Sequence, residues 1–92
     1  MASKGIKIRV KGRVQGVFYR SNTRDAALKL KLTGWVRNEA KGDVLIVAEG
    51  EEDNLLELLE WCRKGPDLSR VDELTFEWTD HTGDFHSFEI RH

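Results

Sequence analysis

Apolar and basic residues alternate near the start of the chain, where Ile6, Ile8 and Val10 are separated by lysine and arginine. A period of two predicts a β-strand with one buried face. Beyond Arg20 the spacing of apolar residues lengthens to that of a helix. The face of this helix carries Thr23, Ala26, Ala27 and Leu30. The pattern therefore predicts a strand, a loop and a helix.

A hairpin is predicted after this helix. Gly34 is expected to be the C-cap of the helix, because glycine readily adopts the left-handed conformation found there. A short strand follows over residues 35–38 and a longer apolar strand over residues 44–49. The turn between them contains Gly42, as short hairpin connections commonly do.

The remainder of the pattern predicts a second helix and a closing strand. The buried face of the helix is Leu55, Leu58, Leu59 and Cys62. The helix should end at Gly65, which a proline follows. Alternation over residues 74–79 predicts a strand, and residues 87–91 suggest a short edge strand. The order βαββαβ is that of the α+β, ferredoxin-like split βαβ sandwich, an antiparallel sheet with two helices on one face.

Residues 12–20 connect the first strand to the first helix and contain two glycines. The N–H groups at a helix start lack intrahelical partners and lie at the positive end of the helix dipole, so they favour an anion. Arg20 could hold two oxygens of a phosphate or carboxylate in its planar fork. A glycine-containing turn beside a solvated arginine is the structural alternative, and the loop alone leaves both interpretations open.

Asn38 is a candidate partner of this loop. In the predicted fold it ends the second strand, which lies in the same sheet as the first. Its carboxamide both donates and accepts hydrogen bonds, so it could hold a water molecule in one orientation. An asparagine at a strand-to-turn junction can also be purely structural.

Length and composition fit a single globular domain over residues 1–92, with 39% hydrophobic and 34% charged residues. No apolar run is long enough for a membrane span, and no apolar signal region precedes the first strand. We therefore expect no membrane association and a cytoplasmic location. The single cysteine, Cys62, shares the apolar face of the second helix and is expected to be a core residue.

The net charge of −1 argues against a general nucleic-acid binder. Residues 1–38 carry +9 and residues 39–92 carry −10. A basic region around the loop would attract a small anion, unless the two sets of charges mix in the folded chain. The acids of residues 51–53 suit a helix start, and the histidines are expected at the surface without metal-site spacing: His81, His86 and His92.

Two segments carry the signatures of a known family. Residues 10–20, VKGRVQGVFYR, closely resemble the first signature of the acylphosphatases. Residues 34–38, GWVRN, followed by Gly42, Val44 and Gly50 at the family's spacing, resemble the second. The likeness extends over essentially the whole chain, and two signatures in the right order are far more specific than one glycine loop.

The resemblance implies hydrolysis of the carboxyl-phosphate bond of acyl phosphates to a carboxylate and inorganic phosphate. It implies a water-orienting role for Asn38 and a phosphate-binding segment of Gln15, Gly16, Val17, Phe18, Tyr19 and Arg20. No metal or other cofactor is expected, because Arg20 and the N–H groups would hold the charge and a phosphate oxygen of the substrate would accept the proton of the water. The expected form is a monomer.

The chain departs from the family pattern at two loop positions. Tyr19 stands where phenylalanine is common, and Phe18 stands where a small residue is frequent. Both changes leave the backbone donors intact, so they concern loop packing and access to the site. Glu39 follows Asn38 directly and is expected to face solvent rather than the anion.

Two other classes of function are compatible with the fold. RNA-binding modules of this architecture stack bases on aromatic residues of the central strands, but here those strands are aliphatic and the aromatic motif is missing. Core or half-buried packing is the expected role of the tryptophans Trp35, Trp61 and Trp78. A non-catalytic phosphate or phosphopeptide binder is the second alternative. The pair Arg20 and Asn38 favours an enzyme, because binding alone does not require an oriented water.

Overall fold

The computed structural model describes residues 2–92 as five strands and two helices. The strands are β1 (Ser3–Arg13), β2 (Thr33–Asn38), β3 (Val44–Glu51), β4 (Arg70–Thr79) and β5 (Phe88–Arg91). The helices are α1 (Tyr19–Lys29) and α2 (Glu52–Lys64). The predicted order βαββαβ is confirmed, and the suggested edge strand follows it as β5.

The five strands form one sheet in the order β4-β1-β3-β2-β5. The three pairs among the first four strands are antiparallel, as predicted, whereas β5 runs parallel to β2. The chain leaves β4 and enters β5 at the same end of the sheet, on opposite edges, so β5 must run in the direction of β2. The ferredoxin-like fold is therefore confirmed with a mixed sheet.

Both helices pack on one face of the sheet. The strand residues of the main core lie on the face of Ile6, Ile8 and Val10, and this face meets the apolar sides of α1 and α2. The predicted face of α2 is fully enclosed, with Leu55, Leu58, Leu59 and Cys62 all buried. Within residues 2–92, neither helix has the length and apolarity needed to cross a membrane.

The expected C-cap role of Gly34 is wrong. Helix α1 ends at Lys29, and the chain reverses through Lys31, whose φ of 59° lies in the left-handed region. Gly34 lies within β2, where a Cβ atom would stand 1.9 Å from the carbonyl oxygen of Val47 on β3. Glycine is thus required here by the close approach of a neighbouring strand rather than by a helix end.

One of the three tryptophans is more exposed than the sequence pattern suggests. Trp35 and Trp61 are half-buried, as expected, but Trp78 is 39% exposed and its neighbour Phe76 is 41% exposed. Both exposed rings lie on β4, the edge strand that pairs only with β1. Alternation predicted which side of the strand is apolar, but not that the strand lies at the edge of the sheet.

The connection from β4 to β5 is held by the buried carboxylate of Glu49 on β3. Its Oε2 accepts hydrogen bonds from the N–H and Oγ1 of Thr82, at 3.1 and 2.7 Å, and its Oε1 accepts from the Gly83 N–H at 3.0 Å. Burial raises the pKa of this carboxyl, but the hydrogen bonds from Thr82 and Gly83 outweigh it, so the net pKa is lowered. Glu49 therefore acts as a charged anchor for the connection.

Candidate active site

The C-terminal ends of β1, β2 and β5 meet at one end of the sheet, beside the start of α1. A cavity of about 760 Å³ opens there. Its wall includes Gly16, Phe18 and Arg20 from the loop and helix start, together with Asn38 from the end of β2. The topology thus brings the two predicted signatures to one site.

The loop before α1 has alternating backbone conformations. Gly16 has a φ of 72° and Phe18 a φ of 62°, both left-handed, while Val17 between them is not. Such alternation turns successive N–H groups toward a common point and forms an anion-binding concavity. Among residues 2–92, no protein acceptor takes a hydrogen bond from the backbone N–H groups of residues 15–19. These donors are available to a ligand.

The Phe18 carbonyl fixes this conformation at the helix start. It accepts hydrogen bonds from the Asn22 N–H at 3.1 Å, the Asn22 Nδ2 at 2.8 Å and the Ser21 Oγ at 3.2 Å. The first turn of α1 contains no acidic residue. The positive end of the helix dipole is therefore not neutralised by the chain itself.

Tyr19 anchors the loop to the second helix. Its ring is 1% exposed and packs against Trp61 with ring centroids 5.5 Å apart, and its hydroxyl donates to the Cys62 carbonyl oxygen at 2.7 Å. Burial and the neighbouring Cys62 raise the pKa of the phenol. Burial also raises the pKa of the Cys62 thiol to about 12, so this cysteine is a core residue, as predicted.

Arg20 lies in the first turn of α1 and contributes to the cavity wall. Its Nη1 is 3.3 Å from Nδ1 of His92, which also lines the cavity. The sequence predicted a surface position for His92, which is exposed, but it did not predict this contact with Arg20. The pairing of β5 with β2 brings it here, and no local pattern around residue 92 indicates that pairing.

Asn38 lies at the end of β2 with its side chain in the same cavity wall. Its Oδ1 is buried and has no hydrogen-bond partner among the residues that the structure describes. A buried polar atom of this kind is normally satisfied by an ordered water or a ligand. The strand-end position alone would not have distinguished this asparagine from a structural one.

Two side chains of the predicted phosphate-binding segment point elsewhere. The amide of Gln15 donates to the carbonyl oxygens of Glu39 and Asp43, at 2.8 and 2.9 Å, and so ties the loop to the β2–β3 turn. The Val17 side chain is buried in the core. If these two residues contact phosphate, they do so through the backbone, and their role stays a prediction.

Glu39 lies outside the cavity wall, as expected, but its carboxylate is half-buried rather than open to solvent. Its half-buried carboxylate pairs with Arg37 Nε at 3.1 Å and Arg9 Nη1 at 3.5 Å, on the face of the sheet opposite the helices. The negative charge is thus held away from the cavity wall. Within residues 2–92 there is also no group of three or more metal-ligating side chains arranged to hold a metal ion.

Comparison with known proteins decides the family. A model of the acylphosphatase family matches residues 6–90. The acylphosphatase of Pelotomaculum thermopropionicum is 47% identical over 81 residues, which cover 88% of each chain. The chain belongs to the acylphosphatase family.

Solved structures of the family agree with this fold. The acylphosphatase from Coxiella burnetii superposes with a TM-score of 0.92 at 40% identity, covering 97% of this chain and 93% of that one. The Bacillus subtilis acylphosphatase gives a TM-score of 0.93 at 36% identity, with coverage of 97% and 99%. The predicted activity, hydrolysis of acyl phosphates to a carboxylate and inorganic phosphate, is thereby confirmed at the level of the family.

Proposed function

We propose that the loop before α1 and Arg20 bind the phosphoryl group of the acyl phosphate, and that Asn38 orients the attacking water. The alternating conformations at Gly16 and Phe18 support the first part, since they direct unpartnered N–H groups toward one point. The acid-free first turn of α1 adds the positive end of the helix dipole.

Arg20 supplies the one formal charge assigned to the phosphoryl group. Its guanidinium can form two parallel hydrogen bonds to phosphoryl oxygens, and its place beside the loop directs it to the same anion. Charge in phosphoryl transfer is spread over the equatorial oxygens, so fixed donors there lower the barrier. His92, at 3.3 Å from Arg20, restricts where the guanidinium can lie.

The role of Asn38 in orienting the water is supported by its Oδ1 atom, which is buried and has no hydrogen-bond partner among the described residues. Asn38 Oδ1 would accept a hydrogen bond from one O–H of the water and so direct a lone pair of the water oxygen toward phosphorus. The water oxygen then bonds to phosphorus while the bond to the acyl oxygen breaks. The acyl group leaves as a carboxylate without protonation, and a phosphoryl oxygen accepts the proton of the water.

This sequence of steps uses no metal or cofactor, because Arg20 and the backbone donors carry the charge stabilisation. The experiment is hydrolysis of benzoyl phosphate by EDTA-treated protein, with Arg20→Gln and Asn38→Ala as variants. We expect each to lower kcat/KM by about 10³-fold, the size of effect seen when a transition-state donor is removed. Phosphate binding, measured by calorimetry, should be lost in Arg20→Gln and kept in Asn38→Ala.

Matched controls are Arg24→Gln, which removes a second arginine from the cavity wall, and Asn54→Ala, which removes an asparagine of α2. Both should keep kcat/KM within about threefold, since neither group is assigned to the phosphoryl site. Turnover that survives in Asn38→Ala would remove that residue from the mechanism. A monomeric state and a cytoplasmic location stay predictions, to be tested by light scattering and cell fractionation.

A further inference from the structure

Phe18 is an exposed aromatic residue in an unfavourable backbone conformation. Its side chain is 72% exposed, more than any other large apolar residue within residues 2–92. Its φ of 62° and ψ of 22° are left-handed, which is a genuine outlier for a bulky residue. Strain of this kind persists only where the surroundings enforce it, and it concentrates at ligand sites.

The surroundings of Phe18 do enforce it. The three hydrogen bonds that Ser21 and Asn22 give to its carbonyl hold the backbone in place. The ring gains little from the core, because it projects outward while the next residue, Tyr19, is buried. The backbone therefore presents a largely exposed ring beside the cavity.

The cavity is larger than a phosphoryl group needs. Its volume of about 760 Å³ lies in the range of pockets that hold a whole small molecule. Apart from Phe18 and Tyr19, the apolar part of the wall is formed by Val14, Phe88 and Ile90. The polar part, with Arg20 and Asn38, is where the phosphoryl group is proposed to bind.

We infer that Phe18 and Ile90 form a subsite for the acyl group, and that this chain prefers acyl phosphates with an aromatic or other large apolar acyl group. The acyl group is joined to the phosphoryl group by one bridging oxygen, so it must lie within a few ångströms of the loop. An apolar acyl group would cover the exposed ring of Phe18 and remove apolar surface from water. The inference rests on the proposed phosphoryl site at Arg20.

Steady-state kinetics on two substrates test the subsite. Asparagine tolerates the left-handed conformation, so Phe18→Asn removes the ring without a new backbone conflict. We expect it to lower kcat/KM for benzoyl phosphate about tenfold more than kcat/KM for acetyl phosphate, with the difference arising in KM. Phe18→Leu, which keeps apolar bulk, should retain most of the benzoyl phosphate activity.

The control is Leu68→Asn, which removes another exposed apolar side chain that does not line the cavity. Leu68→Asn should leave kcat/KM unchanged for both benzoyl phosphate and acetyl phosphate. Equal losses on both substrates in Phe18→Asn would mean that the ring acts on the loop rather than on the acyl group. An unchanged kcat/KM for benzoyl phosphate would show that the ring makes no contact. Either result overturns the inference.

A binding measurement separates this inference from the catalytic proposal. Calorimetry with benzylphosphonate and methylphosphonate needs no turnover. We expect the native chain to bind benzylphosphonate about tenfold more tightly, and Phe18→Asn to lose that preference. Equal affinities in the native chain would overturn the subsite even if Arg20→Gln abolishes hydrolysis. Intact hydrolysis in Arg20→Gln would instead overturn the phosphoryl site.

Discussion

The two helices begin at opposite ends of the sheet, and their first turns have opposite charge. Helix α1 has no acid in its first turn and a left-handed Phe18 before it. Helix α2 begins with Glu52 and Asp53, its Glu52 N–H donates to the Ala2 carbonyl oxygen at 3.0 Å, and Lys4 Nζ lies 2.9 Å from Glu52 Oε1. The start of α2 is neutralised by its own chain.

This difference shows what makes a helix start into an anion site. Both helices have a dipole, and both follow a strand of the same sheet. At α2 the chain supplies acids, which stabilise the helix and leave no attraction for a ligand. At α1 the chain supplies none, so the positive charge of the N–H groups is left for a substrate. Changes at α1 should therefore affect activity, and changes near the start of α2 should affect stability.

Among the changes that test this difference between the helix starts, the largest effect is expected from giving α1 an acid of its own. Ser21 lies in its first turn and lines the cavity. Ser21→Asp should lower kcat/KM for benzoyl phosphate about 100-fold, because a carboxylate near the phosphoryl site repels the substrate. The isosteric control Ser21→Asn loses the same hydroxyl and should stay within about fivefold. Tight phosphate binding by Ser21→Asp would show that the absence of an acid at the start of α1 does not matter for anion binding.

Next in size is Glu49→Gln, at the end of the sheet where α2 begins. The neutral amide weakens three hydrogen bonds to a buried group, so the free energy of unfolding should fall by about 2 kcal/mol at pH 7. Urea unfolding measures this loss, and kcat for benzoyl phosphate at 25 °C should not change. A loss of activity in the folded variant would show that the two ends of the sheet are coupled.

Because the pKa of Glu49 is lowered, the stability that its carboxylate contributes should depend on pH. Because the folded-state pKa lies below the ordinary value of 4.5, the contribution is fully present above that value and is lost as pH falls through the folded-state pKa. The gap in unfolding free energy between the native chain and Glu49→Gln should therefore be constant from pH 7 to about pH 5 and shrink in more acidic solution. If this difference in unfolding free energy grew in acidic solution, the pKa of Glu49 would be raised in the folded state rather than lowered.

A smaller effect is expected where the two helices are joined. Tyr19→Phe removes the hydroxyl that donates to the Cys62 carbonyl and leaves that oxygen unpaired in the core. The free energy of unfolding should fall by about 1 kcal/mol. Because the chain has a single tyrosine, its absorbance in alkaline solution reports this group alone. Ionisation of the folded protein near pH 10 would contradict the raised pKa of Tyr19.

The smallest effect should come from Glu52→Gln in the first turn of α2. It removes the carboxylate that faces the helix dipole and the ion pair with Lys4. Both interactions lie at the exposed surface, so the free energy of unfolding should fall by only about 0.5 kcal/mol, measured by thermal unfolding. Glu57→Gln, in the middle of the same helix, is the control and should lose less. Equal losses at both positions would remove the special role of the first turn.

Local pattern predicted most of the fold correctly. Alternation around Ile8, the apolar face around Leu58 and the stop at Gly65 are each set by a few neighbouring residues. The error at Gly34 has a different origin. A glycine after a helix and a glycine beneath a neighbouring strand look the same in sequence, because the atom that excludes a side chain, the Val47 carbonyl oxygen, belongs to another strand.

The sequence by itself determined the elements, the family and the residue types of the site, because backbone preference and apolar spacing act over a few residues. Tertiary structure alone decided that Asn38 shares a cavity with Arg20, that His92 contacts this arginine and that Gln15 braces the turn after Asn38. Each of these contacts depends on strand order and direction. Those are settled by which strands bury the most surface together, a property of the whole chain.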